Sequence, residues 1–147
     1  FDTTEKFDVI VFGYILEHVD DPVLVLKHFR QFLQPNGLVF VTVPNAEVMN
    51  RKLGHLAGML LDMQQLSDHD LLLGHKRYYT AHSLKSDVEK AGYVVKRTEG
   101  IYLKPLTTSQ MLSLDLDLRI IDALCLLGVD YPELSCGILL ELTVATE

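Results

Sequence analysis

Two short, β-rich apolar runs separated by one well-marked helix set the limits on how this chain can fold. The first run is Phe7-Asp8-Val9-Ile10-Val11-Phe12, closed by Gly13. The second is Leu38-Val39-Phe40-Val41-Thr42-Val43, closed by Pro44-Asn45. The first does not alternate cleanly between apolar and polar residues, and both read as buried strands, the first covered on both faces. Between them, Asp21 suits a helix N-cap and Pro22 the first helical position. Val25, Leu26, Phe29, Phe32 and Leu33 recur at helical spacing, and Pro35-Asn36-Gly37 then turns the chain. Strand, helix and strand in this compass make a βαβ unit, whose strands are parallel and whose crossover is right-handed.

The rest of the chain extends the same pattern. Met49, Leu53, Leu56, Ala57, Leu60 and Met63 predict one helix or two short ones over 46–64, despite Gly54 and Gly58. Residues 67–80 read as a loop. Thr80 then caps a helix with an inner face of Leu84, Val88 and Ala91, stopped by Gly92. A strand is expected over 93–97, helix over most of 109–127 and a last strand over 137–145. The order β-α-β-α-α-β-α-β predicts an α/β domain with a mostly parallel sheet.

Composition bounds the function classes. Apolar residues are 48% and charged residues 22%, enough for a core and too apolar for a disordered tail. No apolar run approaches the ~20 residues of a membrane span. A net charge of −7 argues against a nucleic-acid footprint. Two cysteines, Cys125 and Cys136, are too few for a disulfide framework, so the cytoplasm is the expected compartment. The charge is uneven: from Pro105 onward there are seven acids and one base, Arg119. That segment is either a solvated acidic face or a docking surface for a basic partner. The chain begins with Phe1 rather than Met, which reads as part of a longer protein.

In an open α/β sheet, ligands bind beyond the carboxyl ends of the strands. Residues 12–19 and 43–46 lie there. Gly13 admits a ligand close to the backbone, or simply makes a turn. Glu17-His18 sets a carboxylate beside an imidazole, a pair suited to proton transfer or metal ligation. A metal would need a third ligand, with His75 the obvious one, and Tyr14-x-x-Glu17-His18 lacks a second carboxylate; no metal is expected. Gly74-His75-Lys76-Arg77-Tyr78-Tyr79-Thr80 is the densest polar-aromatic cluster, in a loop leading into a helix cap. Lys76 and Arg77 suit a phosphate or carboxylate on a substrate. Neither a dinucleotide glycine fingerprint, a phosphate loop nor a GxSxG elbow is present.

Taken in order, these stretches resemble a known family. Residues 7–11, then Ile15-Leu16-Glu17-His18-Val19, Asp21-Pro22, Leu33-x-Pro35-Asn36-Gly37 and Val43-Pro44-Asn45 look like the C-terminal half of a class I S-adenosylmethionine-dependent methyltransferase. The branch they are most similar to is that of the ubiquinone-biosynthesis O-methyltransferases. Gly74-His75-x-Arg77-Tyr78-Tyr79-Thr80 and Ala91-Gly92-Tyr93 match it too, so the resemblance covers about residues 7–104. It implies a partial Rossmann-like methyltransferase sheet, with strands four, five, six and seven of the order 3-2-1-4-5-7-6 and strand seven antiparallel. Strands one to three, the glycine-rich cofactor loop and the ribose-binding acid would precede this chain.

The resemblance also assigns roles. Phe12, Gly13, Tyr14 and Leu16 would form one wall for S-adenosylmethionine, mainly through backbone. His18 would be the base near the transferred methyl group. Glu17, His75, Arg77 and Tyr78 would line the acceptor pocket, with 46–80 as a helical lid within a single domain part spanning 1–147. The expected transferase acts on a small-molecule O or N acceptor, and this fragment is expected to be inactive alone. The alternative is a non-catalytic binding or assembly module on the same fold. Without strand one, the edge of residues 7–12 would be bare, so a homodimer through it is expected.

Overall fold

Strand β1 (Phe7–Gly13) leads to helix α1 (Pro22–Arg30), which returns the chain to strand β2 (Leu33–Pro44). β1 and β2 pair in parallel, as the βαβ pattern requires. The computed structural model describes residues 3–145. Asp21 caps α1, accepting the Leu24 N–H at 2.9 Å, and Pro22 opens the first turn.

α1 ends sooner than the apolar spacing predicts. Phe32 and Leu33 are buried, but Phe32 lies between α1 and β2 and Leu33 opens β2. Leu33 pairs with Phe7 and Leu38 with Val9, so the residues between them loop out of the ladder. Asn36 takes the left-handed conformation there, with φ of 65°.

The chain continues through α2 (Met49–Leu56), α3 (Asp68–Leu72), α4 (Ala81–Lys90), β3 (Tyr93–Ile101), α5 (Thr108–Ser113), α6 (Leu118–Asp130) and β4 (Gly137–Val144). Three expectations are corrected. α2 covers only the first part of 46–64, because Gly58 turns left-handed at φ 72° and ends the helical path. α3 lies in the stretch expected to be all loop, started by a capping box between Ser67 and Asp70. The helix of 109–127 is split in two, with Asp115 at φ 46° between the halves.

The strand order is β1-β2-β4-β3, and β4 is antiparallel to both of its neighbours. β1, β2 and β3 therefore run one way and β4 the other. This is the four-five-seven-six arrangement that the resemblance implies.

In-register partners share a face, and one face of the sheet carries the core. Val39, Val41 and Val43 on β2 stand opposite Leu142, Leu140 and Ile138 on β4, and all are at most 1% exposed. Leu26 of α1 and Leu84 and Val88 of α4 join them, also fully buried. Tyr93 adds a polar tie, its hydroxyl donating to the Leu26 carbonyl at 3.0 Å. β1 is not covered on both faces as its composition predicts. Val9 is 49% and Val11 63% exposed, while Phe12 on the core side is 4% exposed. Among the described residues, no helix is long and apolar enough to cross a membrane.

Candidate functional site

The chemistry-bearing residues gather at one end of the sheet, where β1 and β2 finish and β4 begins. This is the carboxyl end of the parallel strands, where open α/β sheets bind ligands.

The turn after β1 forms one wall. At Gly13 an added Cβ would meet only Thr42 Oγ1, at 3.9 Å, so the backbone there is open to approach. Tyr14 takes φ 55°, and its N–H donates to the Thr42 carbonyl at 3.0 Å. Its hydroxyl leans over the start of β4, where a Cβ on Gly137 would come within 2.9 Å of it. Burial first, then Cys136 and Glu17, push the Tyr14 hydroxyl pKa up. Phe12 and Leu16 point into the core instead. Phe12 packs edge-on against Phe29 at 5.5 Å between ring centres, and Leu16 is fully buried. A ligand on this wall would meet the backbone of both and the ring of Tyr14.

Glu17, expected to line the acceptor pocket, has its side chain buried instead. It is 1% exposed, and neither carboxylate oxygen has a hydrogen-bond partner. Burial raises its pKa; its own backbone N–H and the imidazoles of His18 and His75 offset only part of that. His18 Nε2 lies 3.9 Å from Glu17 Oε1. His75 arrives from the loop between α3 and α4. Lys76 N–H donates to the Glu17 carbonyl at 2.8 Å and closes that loop onto the 15–18 turn. The His18 and His75 rings then meet edge to face, 4.8 Å between centres. The His18 side chain is 37% exposed and that of His75 only 9%.

Glu17, His18 and His75 each place one donor atom within 4.8 Å of the others. The expectation of no metal rested on the missing second carboxylate. Folding supplies a second imidazole in its place, and two imidazoles with a carboxylate can hold a divalent ion of borderline softness. The same three groups can move a proton from an acceptor hydroxyl.

The other expected residues face different partners. Tyr78 donates its hydroxyl to Asp70 Oδ2 at 2.5 Å, and its ring lies 4.5 Å from the Arg51 guanidinium. Burial and that bond to Asp70 push the Tyr78 pKa to about 12. Arg77 donates to the Asp20 carbonyl at 3.1 Å, and Lys76 pairs with the Asp20 carboxylate. These two cations thus fasten the loop to the turn before α1.

Sequence reasoning missed Asp70, Arg51 and the role of Asn45. Asn45 is buried, and its amide donates to the carbonyls of Pro132, Glu133 and Ser135 at 3.2, 3.2 and 2.9 Å, pinning the end of β2 beside β4. The Ser67-x-x-Asp70 spacing is a legible capping signal that would have found Asp70. A cleft of about 750 Å³ lies at the far end of the sheet, lined by Lys6, Arg30, Asn36 and Lys96 among others, and carries none of the expected site residues.

Comparison with known proteins bears on this geometry. Residues 1–98 match a family described as a methyltransferase domain. The ubiquinone biosynthesis O-methyltransferase of Parvibaculum lavamentivorans is 30% identical over 116 residues, 78% of this chain and 44% of that protein. The protein of the same name from Aeromonas salmonicida is 31% identical over 121 residues, 80% of this chain and 48% of its own length. The chain thus spans about half the length of the curated relatives it matches. Among solved structures, an S-adenosylmethionine-dependent methyltransferase from Mesorhizobium loti superposes with a TM-score of 0.58 at 14% identity, covering 94% of this chain and 62% of that one. That likeness is one of fold.

Proposed function

Since the chain belongs to the class I S-adenosylmethionine-dependent methyltransferases, we propose that its carboxyl-end site transfers a methyl group to a small-molecule oxygen or nitrogen acceptor. The observation that carries this reading is the meeting of His18 and His75 beside buried Glu17, on the lip of the open Gly13–Tyr14 turn.

The open backbone at Gly13 fits an adenosyl group laid along the wall. The backbone of Phe12, Gly13 and Leu16 and the ring of Tyr14 would hold it. When bound, S-adenosylmethionine supplies a methyl group on a sulfonium. An acceptor needs a free lone pair in line with that methyl group. His18, the more exposed imidazole, takes the acceptor proton, and positioning supplies much of the remaining rate. Glu17 and His75 back His18 and line the acceptor side. Arg77 and Tyr78 border it, and 46–80 acts as its lid.

These 147 residues supply one wall of the cofactor site. The glycine-rich loop that the resemblance implies is not found within residues 1–147, and on this reading those residues alone do not transfer a methyl group. The homes proposed for it are the cytoplasm and, for the isolated chain, a homodimer through the open edge of β1.

The test pairs two measurements. Labelled methyl transfer from S-adenosylmethionine to phenols, amines and sugars is measured with the protein in its longest natural form, native and His18→Ala. Transfer that His18→Ala abolishes supports the reading. No transfer to any acceptor class favours the non-catalytic module. Calorimetry on the 147-residue chain showing tight cofactor binding would contradict the division of the cofactor site.

A further inference from the structure

The best-held carboxylate near the site is one to which no function has been assigned. We propose that Asp70 is a positioning residue for His75: it fixes the proton on Nδ1 and leaves Nε2 as the basic ring nitrogen. The proposal rests on the reading of the Glu17–His18–His75 cluster as the acceptor side.

Asp70 stands in the first turn of α3 and is 9% exposed. Its Oδ2 accepts the Ser67 N–H at 2.8 Å, the Tyr78 hydroxyl at 2.5 Å and the Ser67 hydroxyl. The Asp70 N–H is bonded back to Ser67 Oγ at 3.2 Å. Three donors on one oxygen fix the plane of the carboxylate and leave Oδ1 for another partner. That oxygen faces His75 Nδ1 at 3.2 Å. The His75 N–H also donates to the Asp70 carbonyl at 2.9 Å, so backbone and ring are held by the same residue.

Burial by itself would raise the Asp70 pKa. The hydrogen bonds from Ser67 and Tyr78, with His75 nearby, bring it below the usual carboxylate range. Three donors converge on Oδ2, an arrangement that fits a carboxylate acting only as an acceptor, with no proton to give. A ring nitrogen 3.2 Å from it is the one that carries the hydrogen. At 3.2 Å the pair lies within ion-pair reach although Nδ1 makes no hydrogen bond, so Asp70 acts on the ring through charge. The other nitrogen keeps the lone pair. Tyr78 extends the support to α2, because the Arg51 guanidinium lies over its ring and is itself anchored on the carbonyls of Met63 and Gln65 at 2.8 and 2.9 Å.

Ring-nitrogen ¹⁵N spectra of the histidines report the tautomer directly in the 147-residue chain, with His75 identified by its loss in His75→Gln. At mildly alkaline pH, native His75 is expected to show a protonated Nδ1 and a bare Nε2. Asp70→Asn is expected to give a mixture of tautomers at His75 while His28 and His82 keep their shifts, and Asp70→Glu to recover the native form in part. A native His75 protonated on Nε2 overturns the proposal even where Asp70→Asn does not fold. An Asp70→Asn spectrum identical to the native one overturns it as well. In methyl transfer by the longer natural protein, Asp70→Asn should lower kcat roughly 10- to 100-fold with the cofactor KM unchanged. A protein with the Nδ1–H tautomer and no transfer to any acceptor keeps the positioning role and loses the functional reading, so the two fail separately.

Discussion

Replacing Glu17 by glutamine should stabilise this protein, and only above the acid range. The carboxylate is 1% exposed and neither oxygen has a partner, so ionisation strands a charge in the interior. An unfolded Glu titrates at about 4.3, whereas burial raises folded Glu17 above its ordinary value. Between the two values the folded chain holds a proton that the unfolded chain has released. Stability therefore falls as pH rises through that window, and above it the whole cost is present. The amide of the Glu17→Gln variant carries no charge at any pH, so that variant should show no such fall.

The glutamine amide is as buried and as unpartnered as the acid, so both proteins carry the about 1–3 kcal/mol cost of a neutral polar group, and the ionised carboxylate adds a charge penalty of about the same size. His18, 3.9 Å away, offsets part of this only when protonated, and its 37% exposure lets water screen the pair. Glu17→Gln is thus expected to be more stable by about 1–3 kcal/mol near pH 8, or about 3–9 °C in Tm for a domain of this size. Near pH 4 the two proteins should melt together. Circular dichroism melts at both pH values decide the matter. No gain near pH 8, or the same gain at both, would refute the argument. Methyl transfer should fall in the same variant, since sites tolerate destabilising groups for the chemistry they do.

Three further outcomes can be checked. Gly100→Ala drives a Cβ into the Gly128 carbonyl and Ser135 Oγ, so α6 must shift off β3 and the buried Ser135–Gly128 bond is broken. A loss of about 2–5 kcal/mol in urea unfolding is expected, and a loss under ~0.5 kcal/mol would mean that α6 and β3 have room to part. Tyr93→Phe removes the donor to the Leu26 carbonyl and should cost about 1–2 kcal/mol in the same assay; an unchanged midpoint would show that bond to be idle. Val11→Lys puts a charge on the open strand β1, where Val11 is already 63% exposed. It should leave the melting temperature nearly unchanged and, by light scattering, dissociate a β1-mediated dimer; an equally dimeric variant would place the interface elsewhere.

Local chemistry made the framework readable. Asp21-Pro22 marks the start of α1 because a carboxylate caps free N–H groups and proline lacks the donor that would be wasted there. Thr80 and Gly92 bracket α4 for equally local reasons, Gly92 standing at φ 85°. Glu17, His18 and His75 were each legible as chemically able residues. Their meeting around one pocket was expected from the resemblance, with His75 the obvious third partner, but residue spacing alone does not fix it, because it depends on the backbone bond that ties Lys76 to Glu17 across the length of α1, β2, α2 and α3.

The residues by themselves determined the βαβ start, the caps and the list of side chains fit for proton transfer, since these follow from propensity, periodicity and neighbours a few positions away. Only the tertiary structure decided which face of β1 stays bare, that a second imidazole replaces the missing carboxylate beside Glu17, and that Asp70 sits behind His75. Those are properties of contacts between segments distant in sequence, and periodicity along one segment carries no information about what another will lay against it.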